Sequence, residues 1–122
     1  MSKQAPSLSP ALQACLQQAF LLARTCRHEY LTLEHLLLSL QEDPFVREAE
    51  EACGGDAKAL KAELQVFLQE KLEVLPEEED VQPSPTLGFN RVIERAILHA
   101  LSSEARIVDG GAVLASLIQE KE

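Results

Sequence analysis

One helical pattern is written twice in this 122-residue chain, with the copies 77 residues apart. The first reads LQACLQQAFLLA and then LTLEHLLLSL; the second reads FNRVIERAILHA and then VDGGAVLASL. Leu12 falls opposite Phe89, Cys15 opposite Val92, Leu16 opposite Ile93, Ala19 opposite Ala96, Phe20 opposite Ile97 and Ala23 opposite Ala100. The register carries on: Leu36, Leu37, Ser39 and Leu40 meet Val113, Leu114, Ser116 and Leu117. A repeated unit has an apolar face it cannot hide alone, so two units packed face to face share one core. The expectation is a pseudo-symmetric helical module, a type that more often binds than catalyses.

Composition agrees with packed helices. Hydrophobic residues make up 46% of the chain and aromatics only 4%, without Trp, so the core must be built from Leu, Ala, Val and Ile. The formal charge of −9 argues against nucleic acid and against an anionic membrane, both of which call for basic patches. Cys15, Cys26 and Cys53 are odd in number and scattered, which suits a reducing compartment rather than a disulfide framework. No apolar run has the length of a signal peptide's core or a membrane span, so the sequence reads as cytoplasmic.

Start and stop signals divide the chain into six helices. Ser9-Pro10 caps the first, with apolar positions 12, 15, 16, 19, 20, 23 and 26. A turn over 27–32 leads to Thr32, which caps a second helix carrying Leu33, Leu36, Leu37 and Leu40. Asp43-Pro44 starts a third with Val46, Ala49 and Cys53 inward. Gly54-Gly55 breaks it, and Asp56 caps a fourth with Leu60, Leu64, Phe67 and Leu68. The stretch 73–85, rich in Pro and acid, is a linker, its run Glu77 to Asp80 read as a solvated loop. Thr86 caps a fifth helix with Val92, Ile93, Ala96, Ile97, Ala100 and Leu101, and Asp109 a sixth with Val113, Leu114, Leu117 and Ile118. The domain is therefore all-α and single: a first repeat over 8–72, the linker, and a partial second repeat over 86–120.

Little in the chain suggests chemistry. His28-Glu29 resembles the start of the zinc-protease pattern, but position 32, where a second His must share the helical face, is Thr. The simpler reading is one surface histidine in the turn, His28, and one at a helix start, His35. Cys26, His28 and Glu29 or His35 would form a hydrolytic or metal site only by converging, and no orienting third residue is evident. His99 reads as a partly exposed side chain, and Glu50-Glu51 as part of a solvated helix face. Gly54, Gly55, Gly88, Gly110 and Gly111 match no phosphate-binding pattern.

RHEYLTLEHLLLSL, followed by EDPFVREAEEAC, VLPEEEDVQPSPTLGFNRVIERAI and VDGGAVLASL, is similar to the Clp N-terminal domain of AAA+ unfoldases, nearest to its ClpA branch. The resemblance runs over roughly residues 8–120 in the family's order. It implies a duplicated four-helix repeat with pseudo-twofold symmetry, here with about six helices and an incomplete second repeat. It also implies a non-catalytic dock without cofactor or metal, serving an AAA+ unfoldase ring by binding protein substrates or a ClpS-type adaptor. Carried over motif by motif, the adaptor-contact positions are Glu29, Glu34, Thr86 and Arg91. Glu29 and Glu34 would meet a basic partner residue. Thr86 would also cap its helix, and Glu34 would also favour a first helical turn by about 0.3–1 kcal/mol. The short second repeat makes the chain either part of a longer unfoldase or a free-standing relative. The latter could dimerise through its uncovered apolar surface or compete with the full machine for adaptor.

Overall fold

Each of the six helices described begins at a side chain able to accept a hydrogen bond from the helix's own first turn. In the computed structural model, which describes residues 6–77 and 80–120, α1 (Pro10–Thr25) follows Ser9, whose Oγ accepts from the Leu12 N–H at 3.0 Å. Thr32 caps α2 (Leu33–Leu40), Asp43 caps α3 (Pro44–Ala52) and Asp56 caps α4 (Ala57–Glu70). Thr86 caps α5 (Leu87–Ser102) through the Phe89 N–H at 3.1 Å, and Asp109 caps α6 (Gly110–Gln119). Such a cap is worth about 1 kcal/mol, which explains why all six starts were legible as cap residues.

The offset of 77 governs the backbone as well as the sequence. Four two-residue strands, β1 (Ser7–Leu8), β2 (Tyr30–Leu31), β3 (Ser84–Pro85) and β4 (Ile107–Val108), form two parallel ladders, β1 with β4 and β2 with β3. Shifting by one repeat turns β1 into β3 and β2 into β4, so each ladder is the image of the other. The hydrogen bonds obey the same exchange. Ser7 N–H donates to the Arg106 carbonyl at 2.9 Å and Ser84 N–H to the Glu29 carbonyl at 3.0 Å. Ser9 N–H donates to Val108 and Thr86 N–H to Leu31. A pairing in which each repeat reaches into the other is what a twofold exchange requires. The all-helical reading did not anticipate these ladders, and it placed Ser84–Pro85 in a free linker. Val81 and Pro83 are buried as well, so the second half of that linker is part of the body. Glu77 and Asp80 are exposed, while Glu78 and Glu79 lie outside the described residues.

The core draws equally on both repeats. Leu12, Cys15, Ala19, Ala23, Leu36 and Leu40 from the first meet Phe89, Val92, Ala96, Ala100, Val113 and Leu114 from the second. α1 packs on α2 and α5 on α6, while α4 lies on α2 and α3 crosses to α6. That crossing needs Gly110, because a Cβ there would stand 2.6 Å from Asp43 Oδ2 and 3.1 Å from Val46 Cγ2. Leu33 holds the equivalent place in the first repeat.

Three expectations fail for one geometric reason: a helix resting on the surface buries a narrower stripe than its apolar positions allow. On α3 only Val46 is buried, and Ala49 and Cys53 are exposed; separately, Glu50, read as solvated, is half-buried because it accepts from Gln41 Nε2 at 2.8 Å. Leu101 on α5 lies at the edge of the core, 37% exposed. Ile118 on α6 is 74% exposed, although Gln41 at the equivalent place in the first repeat is buried.

Candidate docking site

The rim at the β2–β3 ladder begins with a backbone feature. α1 ends at Cys26, and Arg27 turns left-handed with φ 59°, sending its N–H to Arg24 and the His28 N–H to Ala23. Glu104 makes the same turn at the same φ in the second repeat. In the first repeat the Arg27 guanidinium also donates to the carbonyls of Leu75 and Pro76, tying the turn to the chain that leaves α4.

Behind this turn lie two histidines that had been read as unremarkable. His28 is 2% exposed and His35 is wholly buried, which corrects the reading of His28 as a surface residue. His28 Nδ1 and His35 Nε2 are 2.8 Å apart. His35 Nδ1 is 2.9 Å from the Thr32 backbone nitrogen and 2.8 Å from Thr32 Oγ1, completing a capping box in which an imidazole stands where a Glu or Gln is usual. His28 in turn donates to the Leu68 carbonyl at the end of α4. Burial lowers the His28 pKa, and burial with the neighbouring His28 lowers that of His35 to about 4. Both rings are therefore neutral near pH 7. Each nitrogen of His28 is engaged, which leaves none to activate Cys26. Cys15 is also unsuited to nucleophilic work, since burial and the nearby Asp43 and Glu42 raise its thiol pKa. Among the described residues, no three of His, Cys, Asp and Glu are grouped as metal ligands would be.

The four positions expected from the resemblance to meet an adaptor lie along this rim. Glu29 is exposed at the mouth of the turn, with its carbonyl held by Ser84. Glu34, half-buried, is the second residue of α2. Thr86 sits across the ladder, joined through its N–H to Leu31, with its hydroxyl engaged as the α5 cap. The two helix starts approach at Gly88, where a Cβ would lie in ordinary contact 3.4 Å from Leu33 Cδ1 and 3.6 Å from Glu120 Oε2. Arg91 differs from the other three. Its guanidinium is half-exposed but clamps Glu120 Oε2 at 2.5 Å, while Arg95 holds Oε1 at 3.1 Å and the Ser116 carbonyl at 3.0 Å. The Arg91 hydrogen bond, with help from Arg95, keeps the Glu120 carboxyl below its usual range. Arg91 is thus partly occupied within its own chain. The i, i+4 spacing of Arg91 and Arg95 signals a shared face, but nothing local in the sequence placed Glu120 against it.

The equivalent rim of the other repeat has different chemistry. Arg106, Gly111, Ser9 and Ala14 stand at the places of Glu29, Glu34, Thr86 and Arg91. No carboxylate occupies any of them. Beside it opens a cleft of about 480 Å³ between α1, the start of α3 and the α6 cap, with Ala11, Ala14, Cys15 and Phe45 as apolar wall and Glu42, Asp43 and Asp109 as acidic lining. Phe45 is 78% exposed. Sequence reasoning missed this cleft, because Phe45 at the second position of a Pro-started helix resembles any surface residue. The duplication has produced two related rims, one presenting Glu29 and Glu34 and the other presenting Arg106 beside a cleft of mixed apolar and acidic lining.

Comparison with known proteins gives this arrangement a context. The profile described as the Clp repeat (R) N-terminal domain matches residues 7–122. A protein of Fuscovulum blasticum called "ClpA homolog protein" is 39% identical over 120 residues, covering 98% of this chain but 15% of that relative. Among solved structures, the Hsp104 N-terminal domain from Candida albicans aligns with a TM-score of 0.79 at 13% identity, over 93% of this chain and 74% of that one. The ClpV N-domain in complex with a VipB peptide gives 0.75 at 18% identity, over 98% and 78%. The ClpV N-domain from Vibrio cholerae gives 0.73 at 19% identity, over 95% and 74%. At these identities the structures establish a common fold.

Proposed function

The chain belongs to the Clp repeat N-terminal domain family, and from that premise we propose that it is a non-catalytic docking module whose acidic rim receives a ClpS-type adaptor in the service of an AAA+ unfoldase. The chain spans about 15% of the length of its ClpA-like relative, so the unfolding machinery in this reading is supplied by other sequence. One observation carries the proposal. The β2–β3 ladder gathers an exposed Glu29, a half-exposed Glu34 and the cap residue Thr86 from three separate elements, while the repeat-equivalent positions hold Arg106, Gly111 and Ser9. Two carboxylates on a rigid frame suit an adaptor Lys or Arg, since hydrogen bonds to charged groups are worth about 1.5–3 kcal/mol. The ClpV N-domain bound to a VipB peptide adds support for protein segments as partners. In this chain the Ala11–Phe45 cleft is the apolar surface available to such a segment.

Calorimetric titration with a ClpS-type adaptor tests the reading. Saturable binding is expected, weakened about 10-fold by Glu29→Gln and again by Glu34→Gln, since one lost charge-assisted contact is worth about 1.4 kcal/mol or more. Both variants should retain the parent's thermal stability to within about 0.5 kcal/mol, because neither side chain is in the core. An absence of binding at tens of micromolar by verified folded protein would overturn the proposal.

A further inference from the structure

The histidine chain has a direction. The Thr32 backbone N–H can only donate, so His35 Nδ1 accepts, which leaves the proton on His35 Nε2. That nitrogen faces His28 Nδ1 at 2.8 Å, so His28 Nδ1 accepts and its own proton is on Nε2. His28 donates in turn to the Leu68 carbonyl in the last turn of α4. Both rings are neutral and both carry the proton on Nε2. A proton added to His28 Nδ1 would point an N–H at the N–H of His35. One added to His35 Nδ1 would confront the Thr32 N–H. Either protonation breaks the chain, and burial leaves no water to compensate.

The chain is confined to one repeat. Ala105 and Ala112 stand where His28 and His35 have their equivalents. The first-repeat turn is thus built on an imidazole chain that joins α1, α2 and α4, while the second-repeat turn of identical backbone shape has none. The two residues next to the histidines are Glu29 and Glu34, the carboxylates of the acidic rim.

We propose that His28 and His35 are positioning residues: as a neutral, hydrogen-bonded pair they hold the turn that presents Glu29 and the helix start that presents Glu34, and mild acid opens this turn ahead of its counterpart in the second repeat. Its consequence for docking rests on the proposed function above; the opening itself does not. The charges around the pair do not oppose this. α1 contributes the Ala23 carbonyl and α4 the Leu68 carbonyl. Arg27 is engaged with Leu75 and Pro76, and Glu29, Glu70 and Lys71 are exposed, with Glu34 half-buried on its first turn. The charge that bears on His35 is that of His28. Because the closed turn lowers both pKa values, the sign follows. Above about pH 6.5 neither form is protonated and the closed turn has its full stability. Below it the opened turn takes up protons that the closed turn refuses, down to about pH 4 for His35.

Hydrogen exchange provides an internal control 77 residues away. The His28 N–H bonded to Ala23 has its match in the Ala105 N–H bonded to Ala100, and Leu36 on Thr32 has its match in Val113 on Asp109. After correction for intrinsic rates, protection at His28 and Leu36 should fall on the order of 10-fold more than at Ala105 and Val113 between pH 7 and pH 5. His28→Ala combined with His35→Ala installs the residues of the second repeat and should abolish the difference. If that protein does not fold, His35→Asn keeps an acceptor for Thr32 and should at least halve the difference on a logarithmic scale. Nitrogen shifts of the two rings at pH 7 should identify both as the Nε2–H form. Equal pH dependence in the two repeats, an unchanged difference in the variants, or a protonated or Nδ1–H ring at pH 7 would overturn the proposal. Failure of adaptor binding at pH 7.5 with the exchange pattern intact would count against the docking reading alone.

Discussion

At the scale of single residues, the pseudo-symmetry separates what a position needs from what it happens to contain. Arg27 and Glu104 share a left-handed backbone at φ 59°, a conformation that costs a non-glycine residue about 1–2 kcal/mol. Arg27 has something to offset that cost, because its side chain fastens the turn to Leu75 and Pro76. Glu104 is exposed, and among the described residues its side chain makes no hydrogen bond or ion pair. Glu104→Gly is therefore expected to stabilise the domain by about 1 kcal/mol, while Arg27→Gly should be neutral or destabilising. Denaturant midpoints at constant slope decide this, and equal gains from the two substitutions would contradict it. The burial of His28 is the residue-scale feature the sequence concealed. Flanked by Arg27 and Glu29 in a turn, it has every local mark of a surface side chain, and its partners are His35 and, forty residues away, the Leu68 carbonyl.

Among the elements, the helices were legible and the ladders were not, for a physical reason. A helix of 8 to 16 residues writes its buried face repeatedly, and its cap residue marks the start. A two-residue ladder is held by backbone groups alone and leaves no alternation to read. Its one trace was the offset itself, which maps Ser7–Leu8 onto Ser84–Pro85 and Tyr30–Leu31 onto Ile107–Val108. Motif resemblance proposes Glu29, Glu34 and Thr86 as contact positions, yet the pairing of Arg91 with Glu120 spans 29 residues and needed coordinates. The crossing of α3 over α6 depends on a different local choice, the absence of a side chain at Gly110. Gly110→Ala should destabilise the domain by about 1–3 kcal/mol despite the higher helix propensity of Ala, because the Asp43 cap must move. A stability gain on thermal denaturation would show that the crossing is looser than the 2.6 Å approach indicates.

At the scale of the whole molecule, α1–α2 and α5–α6 are two copies of one unit, exchanged about a pseudo-twofold axis, whose sequences have diverged at their rims more than in their core. Fifteen residues from both repeats form one buried apolar cluster, so neither repeat has a core of its own and the pair folds as one domain. Divergence at the rims gives a binding module direction: one end presents Glu29 and Glu34 where the other has Arg106 and Gly111 beside the Phe45 cleft, on a frame that presents both at once. The most direct test is a map of backbone amide shifts on adding a ClpS-type adaptor at neutral pH. The largest changes should fall at residues 27–34 and 84–91, with residues 104–111 and 7–14 little affected although they have the same backbone geometry. Changes centred on that second pair of segments, or spread equally over both rims, would contradict the account.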